Sequence, residues 1–380
     1  MDFTIKKTVF LDVLSKVQGL TGRKTNLAIT TNVLIKAEGS QITVIATDLE
    51  TGFEGHYSAE IKKEGLAALN ARKLFEIVRE FPDEQIRIHE VENYWIKIGR
   101  YKNGSVKEKQ VEFNIVGMNP EDFPDIPEIK EVKFFEIDST VLNKMIERTI
   151  IITASPDDKR AHFIGIYLEL LEKEDKKILR MVSTDGSRLS TAENSYDKND
   201  EIPVSKSILI PKKGMNEVTK FLDTKKMVKI GVKDNNFIIQ KDAEKIIIRL
   251  LEGDFPDYID ITTKKAVNTI KMDKSLFLMM LKRMSILSSN DYKGVIFTFN
   301  KDKLKIDSTN PEIGESKEDM LINYAGEPVE AMFNPRFFIE TINVIDDDNI
   351  LLSISSGEKP CLIEAEKDKT YLSVIMPMKI

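Results

Sequence analysis

Asp-Phe-Pro-Asp stands at residues 122–125 and returns at residues 254–257, about one third and two thirds of the way along the 380 residues. Each copy precedes the same succession: a short β-like run, a small or charged residue, then an amphipathic helix. The N-terminus opens the same way, with Phe3-Thr4-Ile5 leading into a helix predicted over residues 8–20. In the second unit Phe134-Phe135-Glu136-Ile137 leads through Asp138 and Ser139 into a helix carrying Leu142, Met145 and Ile146. In the third, Thr269-Ile270-Lys271-Met272 leads through Asp273 into a helix carrying Leu276, Met279, Met280 and Met284. Asp138 and Asp273 are read as N-caps, because a carboxylate there accepts from first-turn amides.

Alternating strands ending in Thr-Asp or Thr-Asn follow, over residues 42–48, 179–185 and 304–310. Second helices are predicted over 71–81, 211–222 and 335–344, the last two with proline in the first helical position. Strands return at 85–88, 228–232 and 349–354. Several elements in the same order, three times, predict three α+β domains over residues 1–130, 131–265 and 266–380. The joints at residues 120–127 and 255–265 contain large apolar side chains and read as ordered connectors.

Apolar content of 41% and charged content of 31% suit a folded protein with a charged surface. No apolar run approaches the ~20 residues of a membrane span, and no cleavable apolar stretch opens the chain. One cysteine, Cys361, excludes an internal disulfide framework and suits a reducing, cytoplasmic setting. His56, His89 and His162 match no metal-ligand spacing, and no phosphate-binding loop is present, so neither a metal nor a cofactor is expected. A net charge of -6 argues against coating nucleic acid with the whole surface.

The charge is unevenly placed. The six helices hold about 13 basic and about 6 acidic residues, roughly +7, leaving the remainder near -13. Arg72-Lys73, Lys212-Lys213 and Arg336 open the second helix of each unit. Helices gathered on one surface would form a basic track for a polyanion. No aromatic stacking motif of the single-strand type accompanies it, so duplex backbone is the expected ligand.

The chain resembles the beta subunit of bacterial DNA polymerase III, the sliding-clamp family, over its full length. The carrying strings are Ala46-Thr47-Asp48-Leu49-Glu50, Ala71-Arg72-Lys73, Ser183-Thr184-Asp185-Gly186-Ser187-Arg188-Leu189 and Pro211-Lys212-Lys213-Gly214. Glu252-Gly253-Asp254-Phe255-Pro256-Asp257-Tyr258, Ile286-Leu287-Ser288 and the terminal Val374-Ile375-Met376-Pro377-Met378-Lys379-Ile380 complete them. The resemblance implies three clamp-type domains per chain and a head-to-tail homodimeric ring of six. Helices would line the hole and sheets the rim, around duplex DNA read without sequence specificity. A two-repeat clamp closes as a trimer; three repeats favour a dimer. The implied role is a processivity factor, not an enzyme, that tethers the replicative polymerase, the clamp loader and repair polymerases through short peptide motifs.

By the same resemblance, the partner pocket comprises Phe163, Thr184, Gly186, Ser187, Arg188, Leu189, Pro256, Ile261, Pro360, Val374, Ile375, Met376, Pro377 and Met378. Flexible methionines in an apolar groove suit varied peptides. DNA contacts carry over to Arg23, Arg72, Lys212, Lys213 and Asn334. At the ring joint, Lys73, Ile77 and Phe113 would face Ile286, Leu287, Glu315 and Glu318 of the next chain. Ser187 replaces a histidine of several relatives, Ala161-His162 an aromatic pair, and Lys379-Ile380 an arginine-leucine end.

Two other readings compete. Catalysis by Asp48 with Asp185, or by Ser187 beside Arg188, requires groups converging on one cleft. Asp48 and Asp185 instead hold equivalent positions in different repeats, and Asn310 takes the third, which suits a turn role. The alternative is a protein-interaction scaffold that does not encircle DNA.

Overall fold

A computed structural model describes residues 1–22, 27–100, 111–127, 129–152, 154, 158–204, 207–222, 226–263, 268–288 and 293–378. The first repeat runs β1 (Asp2–Lys6), α1 (Lys7–Thr21), β2 (Asn32–Glu38), β3 (Gln41–Thr47), β4 (Thr51–Ser58), β5 (Glu60–Lys63) and β6 (Gly65–Asn70). It closes with α2 (Ala71–Glu80), β7 (Gln85–Glu90), β8 (Trp95–Arg100) and β9 (Glu112–Val116). The second runs β10 (Phe134–Asp138), α3 (Ser139–Ile150), a single turn α4 (Ala161–Ile164), β11 (Gly165–Glu172), β12 (Lys176–Thr184), β13 (Arg188–Asp197) and β14 (Ser207–Pro211). Then come α5 (Lys212–Phe221), β15 (Met227–Lys233), β16 (Asn236–Lys241) and β17 (Glu244–Arg249). After the short α6 (Ile259–Thr263), the third runs β18 (Asn268–Asp273), α7 (Lys274–Met284), β19 (Val295–Asn300), β20 (Lys303–Asn310), β21 (Gly314–Leu321) and β22 (Val329–Phe333). It ends with α8 (Pro335–Asn343), β23 (Asn349–Ile354), β24 (Cys361–Ala365) and β25 (Tyr371–Ile375). Strand, helix, four strands, helix, three strands recurs each time, with β5 as the first repeat's addition.

Local chemistry explains the borders. Asp273 accepts from the Leu276 amide at 2.8 Å, and Asp138 from the Thr140 amide at 2.7 Å. Asn70 and Asn334 cap α2 and α8, accepting from Lys73 and Arg336 amides at 3.0 Å each. Pro335 opens α8 as expected, but Pro211 is the last residue of β14. The difference follows from its pairing: Pro211 lies opposite Gly165 on β11, and strand pairing carries it past the helix start.

The turn reading of the Thr-Asp positions matches the geometry. Asp48 accepts from the Glu50 and Thr51 amides, Asp185 from those of Ser187 and Arg188, and Asn310 from that of Glu312. A side-chain oxygen that caps its own turn serves equally as amide or carboxylate, which explains why asparagine suffices in the third repeat.

The strands form four antiparallel sheets. The orders are β5-β1-β7-β8-β9, β10-β15-β16-β17-β4-β3-β2-β6, β14-β11-β12-β13-β25-β24-β23-β18 and β21-β20-β19-β22. Both eight-stranded sheets are composite. In one, β17 of the second repeat pairs with β4 of the first; in the other, β25 of the third pairs with β13 of the second. The chain accordingly folds as two compact units, and their border runs through the second repeat. One comprises Met1–Thr140, Glu201–Pro203 and Lys213–Leu250; the other comprises Val141–Asp200, Val204–Lys212 and Leu251–Ile380.

The two Asp-Phe-Pro-Asp copies each bring an aromatic side chain to a joint. Phe123 is buried with Ile29 and Ala68, against Leu34 and Ile45. Phe255 stacks on Tyr167, ring centroids 4.7 Å apart, beside buried Val182, Leu189, Tyr258 and Val374. Leu34 and Tyr167, like Ile45 and Val182, occupy equivalent strand positions. Each aromatic thus packs on the strands of its own repeat, where full burial of such a side chain contributes about 1.5–3 kcal/mol and the half-buried Phe255 gains less.

Candidate functional site

In the second unit β13 and β25 pair, with Leu189 opposite Val374 and Arg188 opposite Ile375. Past β25 the tail stays registered, because the Met376 amide donates to the Ser187 carbonyl and the Met378 amide to the Met332 carbonyl, at 2.9 and 2.8 Å. Backbone pairing therefore holds the tail while the Met376 and Met378 side chains remain exposed. Leu189, Val374 and Ile375 are buried, and Ile261, Pro360 and Pro377 are half-buried. Leu362 and Leu372 extend the apolar surface.

The turn at residues 184–188 is cross-braced by hydrogen bonds. Gly186 takes φ +86°, and a Cβ there would lie 3.1 Å from Cζ of Phe163, so glycine is needed for conformation and for space. Thr184 Oγ1 donates to the Arg188 carbonyl and accepts from the Gly186 amide. Arg188 is buried, bonded to Asp185 at 3.0 Å, to Glu340 at 2.5 Å and to the Ile151 carbonyl, with its guanidinium 4.3 Å from the Phe337 ring centroid. It braces the turn from behind and is not a nucleophile's partner. Ser187 is exposed.

Phe163 is buried against Gly186. The Arg160 guanidinium lies 4.0 Å from its ring centroid, a cation–π contact. Asp158 fixes that guanidinium through bonds of 3.0 and 2.7 Å. Those bonds hold the Asp158 carboxyl down to about 2. The Phe163 carbonyl accepts from Lys212 Nζ at 2.6 Å. Burial pushes the Lys212 ammonium down to about 8, opposed by Asp185 and aided by Arg188. Tyr258, buried with Val182, Leu189 and Val374, links Arg180, at 3.1 Å, to Glu169.

The expected pocket residues thus converge on one unit. Arg160, Tyr167, Tyr258, Phe337 and Glu340 were not anticipated. Only Tyr258, adjacent to the second Asp-Phe-Pro-Asp, carried a sequence signal.

The expected DNA contacts are placed less uniformly. Arg23 lies outside the described residues. Arg72 and Lys213 are exposed, Arg72 beside Glu76 at 3.2 Å and Lys213 3.9 Å from Glu50. Lys212 is turned inward onto Phe163, and Asn334 is a buried helix cap. The helical charge is also partly spent internally: Lys16 pairs with Glu244, Arg148 with Asp368 and Arg283 with Glu318.

At the expected ring joint, Lys73 is exposed and pairs with Glu76, Ile77 is half-buried, and Phe113 is exposed on β9. On the second unit Ile286 is 75% exposed and Leu287 half-buried. Glu315 is exposed and Glu318 is bonded to Arg283.

Three tandem two-helix α+β domains whose sheets continue across their joints define the clamp architecture. The chain belongs to the DNA polymerase III beta subunit family: its N-terminal domain matches residues 1–127, its central domain 136–257 and its C-terminal domain 261–379. The beta sliding clamp of Vibrio cholerae is 27% identical over 384 residues, covering 100% of both chains. The solved DNA polymerase III subunit beta of Pseudomonas aeruginosa covers 100% of both chains at 27% identity and TM-score 0.87. A sliding clamp from the same organism, solved bound to griselimycin, is 26% identical with TM-score 0.87 over the full length. The family's members are DNA sliding clamps, processivity factors rather than enzymes. No helix among the described residues is long and apolar enough to cross a membrane.

Proposed function

We propose that two copies of this chain close head to tail around duplex DNA in the bacterial cytoplasm and that partner peptides seat against the tail of the second unit. The supporting observation is a pairing rule. Twice, the third strand of the four-strand group in one repeat pairs with the last strand of the next, as β4 with β17 and β13 with β25. Applied a third time, the rule demands a partner for β21 from a further repeat, and offers β9 to a preceding one. Both are edge strands among the described residues. A second copy supplies each missing partner and leaves no open end.

The domain borders follow the repeats, 1–130, 131–265 and 266–380, although packing divides the chain elsewhere, because composite sheets bind neighbouring repeats more tightly than a linker would. DNA is held by Arg72, Lys213 and the exposed Arg336 and Lys282 rather than by Lys212 or Asn334. Peptides seat between Phe163, the 184–189 turn, Pro256 and Ile261, and Pro360 with the 374–378 tail, where two methionines adapt to side chains of different shape.

Retention on DNA tests the reading. A topologically trapped ring stays on a closed circle at high salt and slides from a linear end. A scaffold stays on neither, and an ordinary binder leaves both as counterions compete. Griselimycin binding, lost on removal of residues 376–380, tests the pocket.

A further inference from the structure

We infer that a groove at the first joint, beneath the connector between the first and second repeats, is a second docking site for an extended peptide. The peptide it fits carries an aliphatic side chain and, two residues further on, a carboxylate. This takes its class of ligand from the peptide seating proposed above and adds a site outside it.

The groove lies on the sheet face turned away from α5, whose Gly214 and Phe221 pack on Ile248 and Phe53. The connector, residues 126–134, crosses that face and is seated at two points where a strand has no side chain. A Cβ on Gly52 would lie 2.9 Å from Cδ1 of Ile126, and one on Gly231 would lie 2.6 Å from Cγ1 of Val132, so each aliphatic rests in a glycine gap. Across the strands the row runs Gly231, Ile238, Ile247, Gly52. Between the two gaps the isoleucines floor a cavity of about 400 Å³, walled by Ile129, Val132 and Phe134. That volume lies within the range of small-ligand sites.

The class of ligand follows from the equivalence of the repeats. Counting back from the helix starts aligns Phe135 with Ile270. Across the strands Phe135 leads to Ile230, Ile239 and Ile246, and Ile270 leads to Leu352, Ile363 and Ser373. Ile238 and Ile247 therefore hold the places of Leu362 and Val374, and they pair with each other as those two do. Counted from the two Asp-Phe-Pro-Asp copies, Ile129 matches Ile261. Floor and wall are thus the counterparts of the apolar surface assigned to partner peptides in the second unit.

Charge sets the difference. In the next row Gln240 lies between Lys229 and Lys245, and the counterparts of Gln240 and Lys245 are Glu364 and Leu372. Each lysine holds a carboxylate on its far side, Glu136 at 3.8 Å and Glu54 at 3.0 Å. A peptide carboxylate over the Gln240 amide would continue the alternation of sign across five strands and accept from that amide, whereas an ammonium there would face two of its own sign. Ile238 and Gln240 are two residues apart on one strand, about 7 Å, the spacing of side chains i and i+2 in an extended peptide.

Isoleucine methyl resonances of the full-length chain test the site, with acetyl-Ser-Leu-Ser-Asp-Ser-amide as the probe. Titration should shift the Ile129, Ile238 and Ile247 signals saturably, and the same peptide with lysine for aspartate should bind at least tenfold more weakly. Gln240→Glu, which puts a fixed carboxylate where the ligand's belongs, should weaken the aspartate peptide about tenfold and leave the melting midpoint unchanged. The Ile261 and Ile375 methyls report on the second unit in the same spectra. Shifts there with none at Ile238 and Ile247 overturn the groove and leave the second-unit seating standing. Shifts confined to Ile238 and Ile247 sustain the groove independently of that seating. Equal binding of the lysine peptide reduces the contact to an apolar one, and hexanoate matching the aspartate peptide makes the occupant a small amphipathic anion; either result overturns the assignment.

Discussion

Replacing Asp368 by asparagine should weaken the second unit more than any surface charge change. Arg148 on α3 has only 3% of its side chain exposed and donates to Asp368 at 2.6 Å and to Thr370 at 2.9 Å, and its guanidinium lies 5.2 Å from the Tyr371 ring centroid. Lys144 adds a second cation to the same carboxylate at 3.1 Å. Burial raises the Asp368 carboxyl, but bonds from Thr370, Arg148 and Lys144 outweigh it and hold the group well below the ordinary carboxylate range. Breaking a buried pair by removing one partner costs about 3–5 kcal/mol. Asp368 is 23% exposed, so solvent screens part of the interaction and about 2–4 kcal/mol is expected. For a unit of this size that lowers the melting midpoint by roughly 5–10 °C, measured by near-ultraviolet dichroism. Arg148→Met combined with Asp368→Asn should recover much of the loss, since no buried cation is then stranded. A depressed carboxylate contributes above its unfolded pKa and loses that contribution as pH falls through the folded value. The gap between wild type and Asp368→Asn should thus be constant from pH 5 to 8 and close only below about pH 4. An Asp368→Asn chain as stable as wild type at pH 7 would refute the assignment of Arg148 as a buried charge dependent on its partner.

Lys212→Met should weaken binding of a partner peptide several-fold, read by calorimetry, because the Phe163 carbonyl loses its donor, while retention on circular DNA is unchanged; the reverse pattern would return Lys212 to the DNA-facing set. The same lysine, down-shifted to about 8 by burial, binds fewer protons folded than unfolded above that pH. Stability should therefore rise as pH climbs from about 8 toward the unfolded lysine value, and Lys212→Met should abolish the rise. Met376→Ala with Met378→Ala should abolish polymerase stimulation and leave the dimer intact in sedimentation, because backbone bonds to Ser187 and Met332 hold the tail without those side chains. Ile286→Ala with Leu287→Ala should release soluble monomers by removing about 2–4 kcal/mol of apolar burial per joint; an unchanged sedimentation coefficient would take both residues out of the joint.

What the sequence disclosed, and what it withheld, divides along the range of the interactions. Period-two strands, Asp273 and Asp138 as caps, and proline at the start of α8 are local, and local chemistry placed them to within a few residues. The recurrence of Phe123 and Phe255 exposed the triplication because each joint needs the same anchor. The composite sheets were invisible, since β17 meets β4 about 190 residues away and nothing in either strand names its partner. Charge was misleading for a related reason. Lys212 and Arg148 look like solvated cations on a helical wheel, yet a carbonyl at Phe163 and a carboxylate at Asp368, contributed by distant segments, draw them inward. Asn334 reads as a polar surface residue until the helix start it caps is located.

The two joints inside the chain share one pairing geometry and differ in the side chains placed on it. The turn after β3 runs Thr47-Asp48-Leu49-Glu50, and the turn after β12 runs Thr184-Asp185-Gly186-Ser187. The backbone is the same: Leu49 takes φ +77° and Gly186 φ +86°. So is the pairing at the end of the last strand, where the Arg249 amide donates to the Glu50 carbonyl and the Met376 amide to the Ser187 carbonyl, both at 2.9 Å. At the first joint a leucine is held in the left-handed region, which costs about 1 kcal/mol, and its side chain stands out into solvent beside the position of an arginine. At the second, glycine relieves that strain and clears the space against which Phe163 packs, while methionine replaces arginine on the facing strand. At these two matched positions a leucine and an arginine give way to a glycine and a methionine. The second joint is thus a divergence from its twin, superimposed on a pairing geometry that both retain.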